Sequence, residues 1–465
     1  MSVEIVPAFK AAAEVQVLVV GAGACGLLAA LSAAEAGAEV MVLERDAVPS
    51  GSTALSSGLI PAAGTRFQAA ISVDDSPELL ARDITGKNGG TADPAIVQAV
   101  AARAAEAIGF LAEAHGVPFS VVEGFLYPGH SVLRMHGTPQ RTGAELMGFL
   151  GAAADRAGLD IVTRAPVSRL FADTDGRVLG VEIARPDGAA DRIGCRALVL
   201  ACNGYGGDSA LVRRHIPQLA DALYFGHPGN RGDALRWGTA LGAAAADLSG
   251  HQGHGSVAHP HGILITWALM MEGGFQVNAE GVRFSNEHHG YSEQAEAVLR
   301  QPGGIAVDIY DSRLHGIALQ FEDYRNAVAL GAVKSAGTIE DLARLFNLPA
   351  EALARTLAGV DALAHNGTVD TFGRRFDPAR RLVPPYHGVR VTGALFHTQG
   401  GLVVDGDARV LRTNGAALPN LFAGGGAARG ISGPRAEGYL SGNGLLIAVT
   451  LGRIAGLSAA RLAGA

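Results

Sequence analysis

Two short stretches carry residue types able to do chemistry without a charge. One is Gly438-Tyr439-Leu440-Ser441-Gly442-Asn443-Gly444-Leu445; the other is Arg283-Phe284-Ser285-Asn286-Glu287, followed closely by Tyr291. Between them they offer two phenols, a serine hydroxyl and a glycine amide, each a neutral hydrogen-bonding group. Each has a plainer use as well. Tyr291 suits a protein surface, Tyr439 suits simple packing, and Ser441 suits the N-cap of a helix that would start at Gly444. Arg283 and Glu287 read as a structural ion pair.

A third stretch supplies a cofactor loop. Val15–Val20 is a β-branched apolar run and reads as a buried strand. Gly21-Ala22-Gly23-Ala24-Cys25-Gly26 follows, then an Ala/Leu helix from Leu27 to Gly37 and a second strand, Val40–Leu43, ending on Glu44. This is a βαβ unit with a G-x-G-x-x-G turn and a carboxylate about 20 residues on. Gly21 permits the tight turn, Gly23 bares the backbone to a pyrophosphate, and Gly26 lets helix and strand pack closely. The helix N-terminus favours phosphate, and Glu44 can accept from ribose hydroxyls. The motif says dinucleotide and leaves FAD and NAD both open. Ser52-Thr53-Ala54-Leu55-Ser56-Ser57-Gly58, rich in hydroxyls, suits a loop wrapping phosphate and ring, or a polar surface loop.

The elements that must hold these residues fit a two-domain chain. The protein has 465 residues, 48% hydrophobic and 17% charged, which excludes disorder. Its net charge is −7 and no basic cluster stands out, so nucleic acid and anionic membrane are not expected as partners. Cys25, Cys195 and Cys202 form no metal, haem or disulfide spacing. Met1–Lys10 lacks a leader pattern, and no apolar run of about 18 residues is free of Gly or charge. A cytoplasmic location and no membrane span are expected.

Helical patterns cover Ala101–Gly116 and Gly143–Gly158. Val167–Ile193 reads as a strand meander with turns at Asp175-Gly176 and Asp187-Gly188. A separate buried strand, Ala197–Ala201, leads into Cys202-Asn203-Gly204, and Gly232-Asp233 opens a helix. From His251 the character changes: His251, His254, His259, His261, His288 and His289 gather near Trp267. Their spacing fits pocket lining or surface better than a metal site, and no metal is expected. Helices are expected at Glu293–Leu299, Glu351–Ala362 and Gly444–Leu457. The fold expected is α/β: a discontinuous Rossmann-like cofactor domain (1–250 and 381–465) with an inserted α+β cap (251–380). The reaction site would lie at their interface.

Taken together, the motifs resemble the fumarate reductase / 3-ketosteroid dehydrogenase flavoprotein superfamily, nearly end to end. The resemblance rests on the Gly21 loop with Glu44, the Ser52–Gly58 loop, Leu198–Gly204, Gly232-Asp233 and Arg283–Glu287. It continues in Phe396–Gly401, Leu421–Gly425 and Ser441–Asn443. It implies FAD, bound non-covalently because no histidine occupies 52–58. The residues implied to face FAD are Gly21, Gly23, Ala24, Cys25, Gly26, Glu44, Arg45, Ser52, Thr53, Ser56, Ser57, Gly58 and Val167. Further along they are Ala201, Asn203, Gly204, Asp233, His397, Thr398, Gly425, Gly426, Gly444 and Leu445. Two positions depart from the family: Gly426 stands where many relatives have a ribityl-binding glutamate, and Asn203 replaces a usual glycine.

On the substrate side, Tyr291 and Tyr439 fall where fumarate reductases place arginines, while His136 and His397 match their pocket histidines. Arg134, Arg141, Arg429 and Arg435 lie close enough in sequence to compensate. The Tyr439/Ser441/Gly444 spacing resembles 3-ketosteroid Δ4-(5α)-dehydrogenases, and the Pro-Gly-Pro-Gly run of the Δ1 type is absent. The resemblance implies a catalytic set of Tyr291, Tyr439, Ser441 and Gly444. Tyr439 and the Gly444 amide would polarise a ketone oxygen, Ser441 with Tyr291 would take the α-proton, and a hydride would pass to flavin N5. The implied activity is FAD-dependent desaturation next to the carbonyl of a 3-ketosteroid or smaller cyclic ketone. An enoate or dicarboxylate reductase and a non-catalytic FAD-binding or redox-sensing protein are the alternatives. The electron acceptor and oligomeric state stay open. Tyr127, beside Pro128, reads as loop.

Overall fold

The computed structural model describes residues 2–185 and 189–464; the turn expected at Asp187-Gly188 lies outside them. Strand β1 (Ala13–Val20) enters the glycine turn, α1 (Ala24–Glu35) leaves it, and β2 (Val40–Leu43) returns parallel to β1. Five residues of β1 are buried because both faces of the sheet are covered. Helix α2 (Pro77–Asn88) starts sharply: the Ser76 hydroxyl accepts the Leu79 amide and Pro77 takes the first helical position.

After β3 (Asp160–Val162) come β4 (Val167–Ala172), β5 (Val178–Ala184) and β6 (Ala190–Leu200). The expected meander and the expected separate strand at Ala197 are one continuous element. β6 pairs antiparallel with β5 through Gly194, then runs parallel to β1 as far as Leu200. No turn residue interrupts Cys195-Arg196-Ala197, so the strand passes from hairpin into parallel sheet without a break.

The second sheet contains β7 (His251–Ala258), β8 (Phe275–Val277), β9 (Ile305–Asp311) and β10 (Tyr386–Thr398), with α3 (Tyr291–Leu299) lying against it. Its order is Ile263-Leu264, β7, β10, β9, β8, and Leu223-Tyr224 and Val333–Ala336 also pair with β10. Strand β10 therefore sits at the centre of this sheet, beyond the boundary expected at 380, and residues 223–224 join it from before 251. Hydrogen bonding decides the membership: a thirteen-residue strand bonded along both edges cannot belong to the other sheet. Its last residues, His397-Thr398, bring the second sheet to Gly444 and Gly204.

The chain then returns to the first sheet through β11 (Ala417–Ala423), parallel to β6, and ends in α4 (Asn443–Ala463). Helix α4 lies directly on α1. A Cβ on Gly452 would come within 2.6 Å of the Cys25 carbonyl oxygen, and one on Gly456 within 2.1 Å of that of Ala29. Pro94–Glu113 and α4 are long and apolar enough to cross a membrane, but 50% and 67% of their apolar windows are buried inside the protein. Core helices show the same pattern.

Candidate functional site

A single long cavity runs from Glu44, Arg45, Ala165 and Val167 past the glycine turn to Tyr127, Trp267, Tyr291 and Tyr439. Its first half is set by β1, α1 and β2. Gly21 turns the chain at φ +103°, and a Cβ there would meet the Ala201 carbonyl at 2.6 Å. Gly23 faces the cavity, and an added Cβ would meet only the Thr53 hydroxyl, at 3.5 Å. The Thr53 hydroxyl accepts the Ala24 amide at 3.1 Å, and Glu44 accepts the amides of Ala22 and Asp46 at 2.8 and 3.0 Å. The Glu44 carboxylate keeps lone pairs for sugar hydroxyls. A bare glycine turn, a helix N-terminus and a buried carboxylate in one cavity fit a dinucleotide.

The 52–58 loop is stapled internally. Ser56 donates to the Thr53 carbonyl at 2.7 Å and accepts the Gly58 amide at 3.1 Å. Ser52 accepts the His227 amide and the Asn230 carboxamide, and Ser57 and Gly58 line the cavity beside them. Arg45 donates to the Gly229 carbonyl at 2.6 Å. Asp233, at the start of its helix, also lines the wall, its carboxyl raised above the usual range by burial. Cys25 lines it too, with burial pushing its thiol up to about 12.

Three cofactor candidates stand behind the wall instead of on it. A Cβ on Gly26 would lie 1.8 Å from the Gly21 carbonyl, so it closes the turn. Gly204 backs onto Thr398, whose hydroxyl accepts the Tyr205 amide at 3.4 Å. These residues position the wall, and their neighbours Ala201, Asn203, His397, Gly425, Gly426 and Leu445 line it. The two departures at Asn203 and Gly426 face each other. Asn203 is left-handed (φ +62°), a conformation asparagine tolerates. Its Oδ1 accepts the Gly204 amide at 2.8 Å and would lie 2.2 Å from a Cβ on Gly426.

At the other end the two phenols meet. The rings of Tyr291 and Tyr439 are 6.0 Å apart at 62°. Burial pushes the Tyr291 phenol up to about 12 against the opposing pull of Ser441, Gly442 and Tyr439, and burial raises the Tyr439 phenol well above its ordinary value. The Gly444 amide donates to the Tyr439 oxygen at 3.2 Å. Ser441 is buried, and the N-cap of α4 is Gly442, which has no side chain to cap with. A Cβ on Gly444 would lie 2.4 Å from His397 Nε2.

The sequence reading missed several walls of this end. Tyr127 is in a loop as expected, but it also lines the cavity. His254 stacks on Tyr291 at 4.8 Å, with Trp267, Gln252, Leu264 and Phe396 around them. His254 and Trp267 were visible as types, but only the β7–β10 pairing turns His254 inward, and the Trp267 indole is held by donating to the Glu287 carbonyl at 3.2 Å. The other histidines scatter: His259, His261 and His289 are exposed. Among the described residues no three His, Cys, Asp or Glu side chains converge as metal ligands. His136 is also not a wall: its Nε2 meets the Thr65 hydroxyl at 2.7 Å and Nδ1 faces the Arg134 carbonyl. Burial holds His254 down to about 3 and His397 and His130 to about 4, so all three are neutral at pH 7.

Of the four arginines expected to compensate, three are committed elsewhere, and Arg435 is exposed and does not line the cavity. Arg134 is buried in pairs with Asp75 and Asp83, and Arg429 pairs with Asp247 and Asp93. Arg141 donates to Gln320. Arg283 and Glu287 are an ion pair, at 2.7 Å, joined by Arg374 and Asp370. Among the described residues, Arg45 is the sole arginine or lysine lining the cavity, and it stands at the Glu44 end.

Known proteins are similar to this chain over most of its length. The chain is 29% identical to a probable fumarate reductase of Shewanella frigidimarina over 448 residues, covering 96% of this chain and 75% of that one. It is 26% identical to a 4-oxocyclohexanecarboxylate 2-dehydrogenase of Sinomonas cyclohexanicum, covering 88% and 87%. The structure superposes on the 3-ketosteroid Δ4-(5α)-dehydrogenase of Rhodococcus jostii, solved with 4-androstene-3,17-dione. That match has a TM-score of 0.76 and 26% identity, and it covers 98% of both chains. A flavocytochrome c3 fumarate reductase in an open conformation matches with a TM-score of 0.82 and 29% identity, over 98% of this chain and 80% of that one. The FAD binding domain family matches residues 16–445, and with the cavity described above this chain belongs to that family and is an FAD-dependent oxidoreductase.

Proposed function

We propose that this protein introduces a carbon–carbon double bond next to the carbonyl of an uncharged ketone, a 3-ketosteroid or a smaller cyclic ketone. One observation carries the reading: the substrate end of the cavity is lined by phenols, neutral histidines, an indole and a serine, with no arginine or lysine among the described residues. A dicarboxylate entering such a wall would leave a charge unpaired at a cost of about 3–5 kcal/mol. A ketone needs only neutral donors.

FAD, when bound, would supply the acceptor for the two electrons removed from the substrate; Gly21–Cys25, Glu44 and the 52–58 loop would hold it without a covalent bond. The chain's own residues would do the rest. Tyr439 O–H and Gly444 N–H would hold the ketone oxygen and acidify the α-carbon. The Ser441–Tyr291 pair would accept the α-proton in its deprotonated form, a minority at neutral pH because burial pushes Tyr291 up to about 12. Trp267, Phe396 and Leu264 would exclude water. His254 accepts the Ser256 amide at Nδ1, so the proton of the neutral ring is on Nε2.

Dye reduction by the holoenzyme with a saturated 3-ketosteroid and with cyclohexanone tests this reading; turnover of either is the expected result. Failure with both, together with reduction of fumarate by a reduced dye, overturns it. That second reading, an enoate or dicarboxylate reductase, is favoured by the fumarate reductases among the sequence relatives.

A further inference from the structure

The two phenols come from segments nearly 150 residues apart, and one helix end touches both. Lys87, in the last turn of α2, donates to the His289 carbonyl at 2.6 Å and to Glu293 Oε1 at 2.7 Å. These two partners bracket Tyr291, the first residue of α3. Both side chains are largely buried, at 12% and 15% exposure. The next residue, Asn88, donates to the Ile431 carbonyl at 3.0 Å, and its Cβ would lie 3.2 Å from a Cβ on Gly438, the residue before Tyr439. The Lys87 stem and the Leu440 side chain both crowd Gly129, where a Cβ would come within 3.4 and 2.7 Å of them. Helix α2 itself is anchored in the first sheet's core by Leu80, Ala81 and Ile84.

We propose that Lys87 and Asn88 are positioning residues: the end of α2 clasps the cap helix α3 to the cofactor half and sets the separation of Tyr291 from Tyr439. Lys87 fixes the Tyr291 side through a charged pair across the two halves. Asn88 fixes the Tyr439 side through the 431–438 segment. Neither touches the cavity, so their effect on chemistry passes through the phenols. The kinetic part rests on the function proposed above; the structural part does not.

The test is Lys87→Met in the FAD-loaded enzyme, read first by hydrogen–deuterium exchange of the segment 286–299. Exchange there rises about tenfold or more, the scale of one lost hydrogen bond to a charged group, while the segment 17–30 around the glycine turn is unchanged. Lys87→Arg, which keeps the charge and donors, restores most of the protection and shows that the effect is not general misfolding. With a ketone substrate, Lys87→Met lowers kcat and leaves flavin content as in the wild type. Unchanged exchange in 286–299 overturns the clasp. Should the enzyme turn over no ketone, the exchange measurement still decides the clasp, and only the proposed substrate class falls.

Discussion

The Gly444 amide donates to the Tyr439 phenol oxygen at 3.2 Å, so the two donors suited to one ketone oxygen are themselves one hydrogen bond apart. On the proposed function, a ketone oxygen entering between them would accept from both donors in place of that contact. Burial raises the Tyr439 phenol well above its ordinary value, which keeps it a donor across the working pH range. Tyr439→Phe is expected to lower kcat by about 10²–10³, the cost of one such donor, with FAD retained. Steady-state kinetics beside the flavin absorbance spectrum checks both halves.

A second expectation concerns alkaline pH. Tyr291 is pushed up to about 12 by burial, against the opposing hydrogen bonds from Ser441 and Gly442. If the Ser441–Tyr291 pair takes the proton, its basic form grows with each pH unit. The logarithm of kcat with a ketone then climbs from pH 7 to 10 without a plateau. Tyr291→Phe flattens the profile; a wild-type profile that is flat over that range removes the pair from the role of base.

Asn203 and Gly426 should be energetically coupled. Gly426→Ala places a Cβ 2.2 Å from Asn203 Oδ1, an overlap of the kind that costs about 1–3 kcal/mol. Asn203→Gly alone loses the hydrogen bond to the Gly204 amide. In the double variant the alanine no longer meets the carboxamide and keeps only a 3.0 Å approach to the Gly204 amide nitrogen, so it should hold FAD better than Gly426→Ala alone. Flavin fluorescence on dilution measures this, and strict additivity of the two changes would show the contact to be without effect.

Acid should destabilise the fold over a defined window. His130, His136 and His397 are held by burial to about 4, and His254 to about 3, from an ordinary value of 6.5. Between those limits the unfolded chain binds protons that the folded chain does not, so stability falls as pH drops from about 6.5 towards 4. Each histidine contributes up to about 1.4 kcal/mol per pH unit there. Urea midpoints at pH 7 and pH 5 test the sign, which reverses if these rings are protonated in the folded protein.

Local sequence determined the cofactor half of this protein. The βαβ unit at residues 13–43 is complete within one short stretch, and the glycine spacing with Glu44 follows from what a tight turn and a diphosphate require of the backbone. The types at 291, 439, 441 and 444 were likewise readable, because a phenol or hydroxyl keeps its chemistry wherever it is placed. Tertiary structure alone decided what those groups face. Strand β10 reads as one more apolar run, and only its pairing with β7 and β9 makes it the centre of the second sheet and carries His397 to the cavity. Arg134 and Arg429 sit near site motifs in sequence, yet their charges are taken up by Asp75, Asp83, Asp93 and Asp247. Such partners are long-range contacts, and no spacing along the chain encodes them. The uncharged character of the substrate wall is therefore a property of the packed molecule: it depends on which charges have already found one another elsewhere.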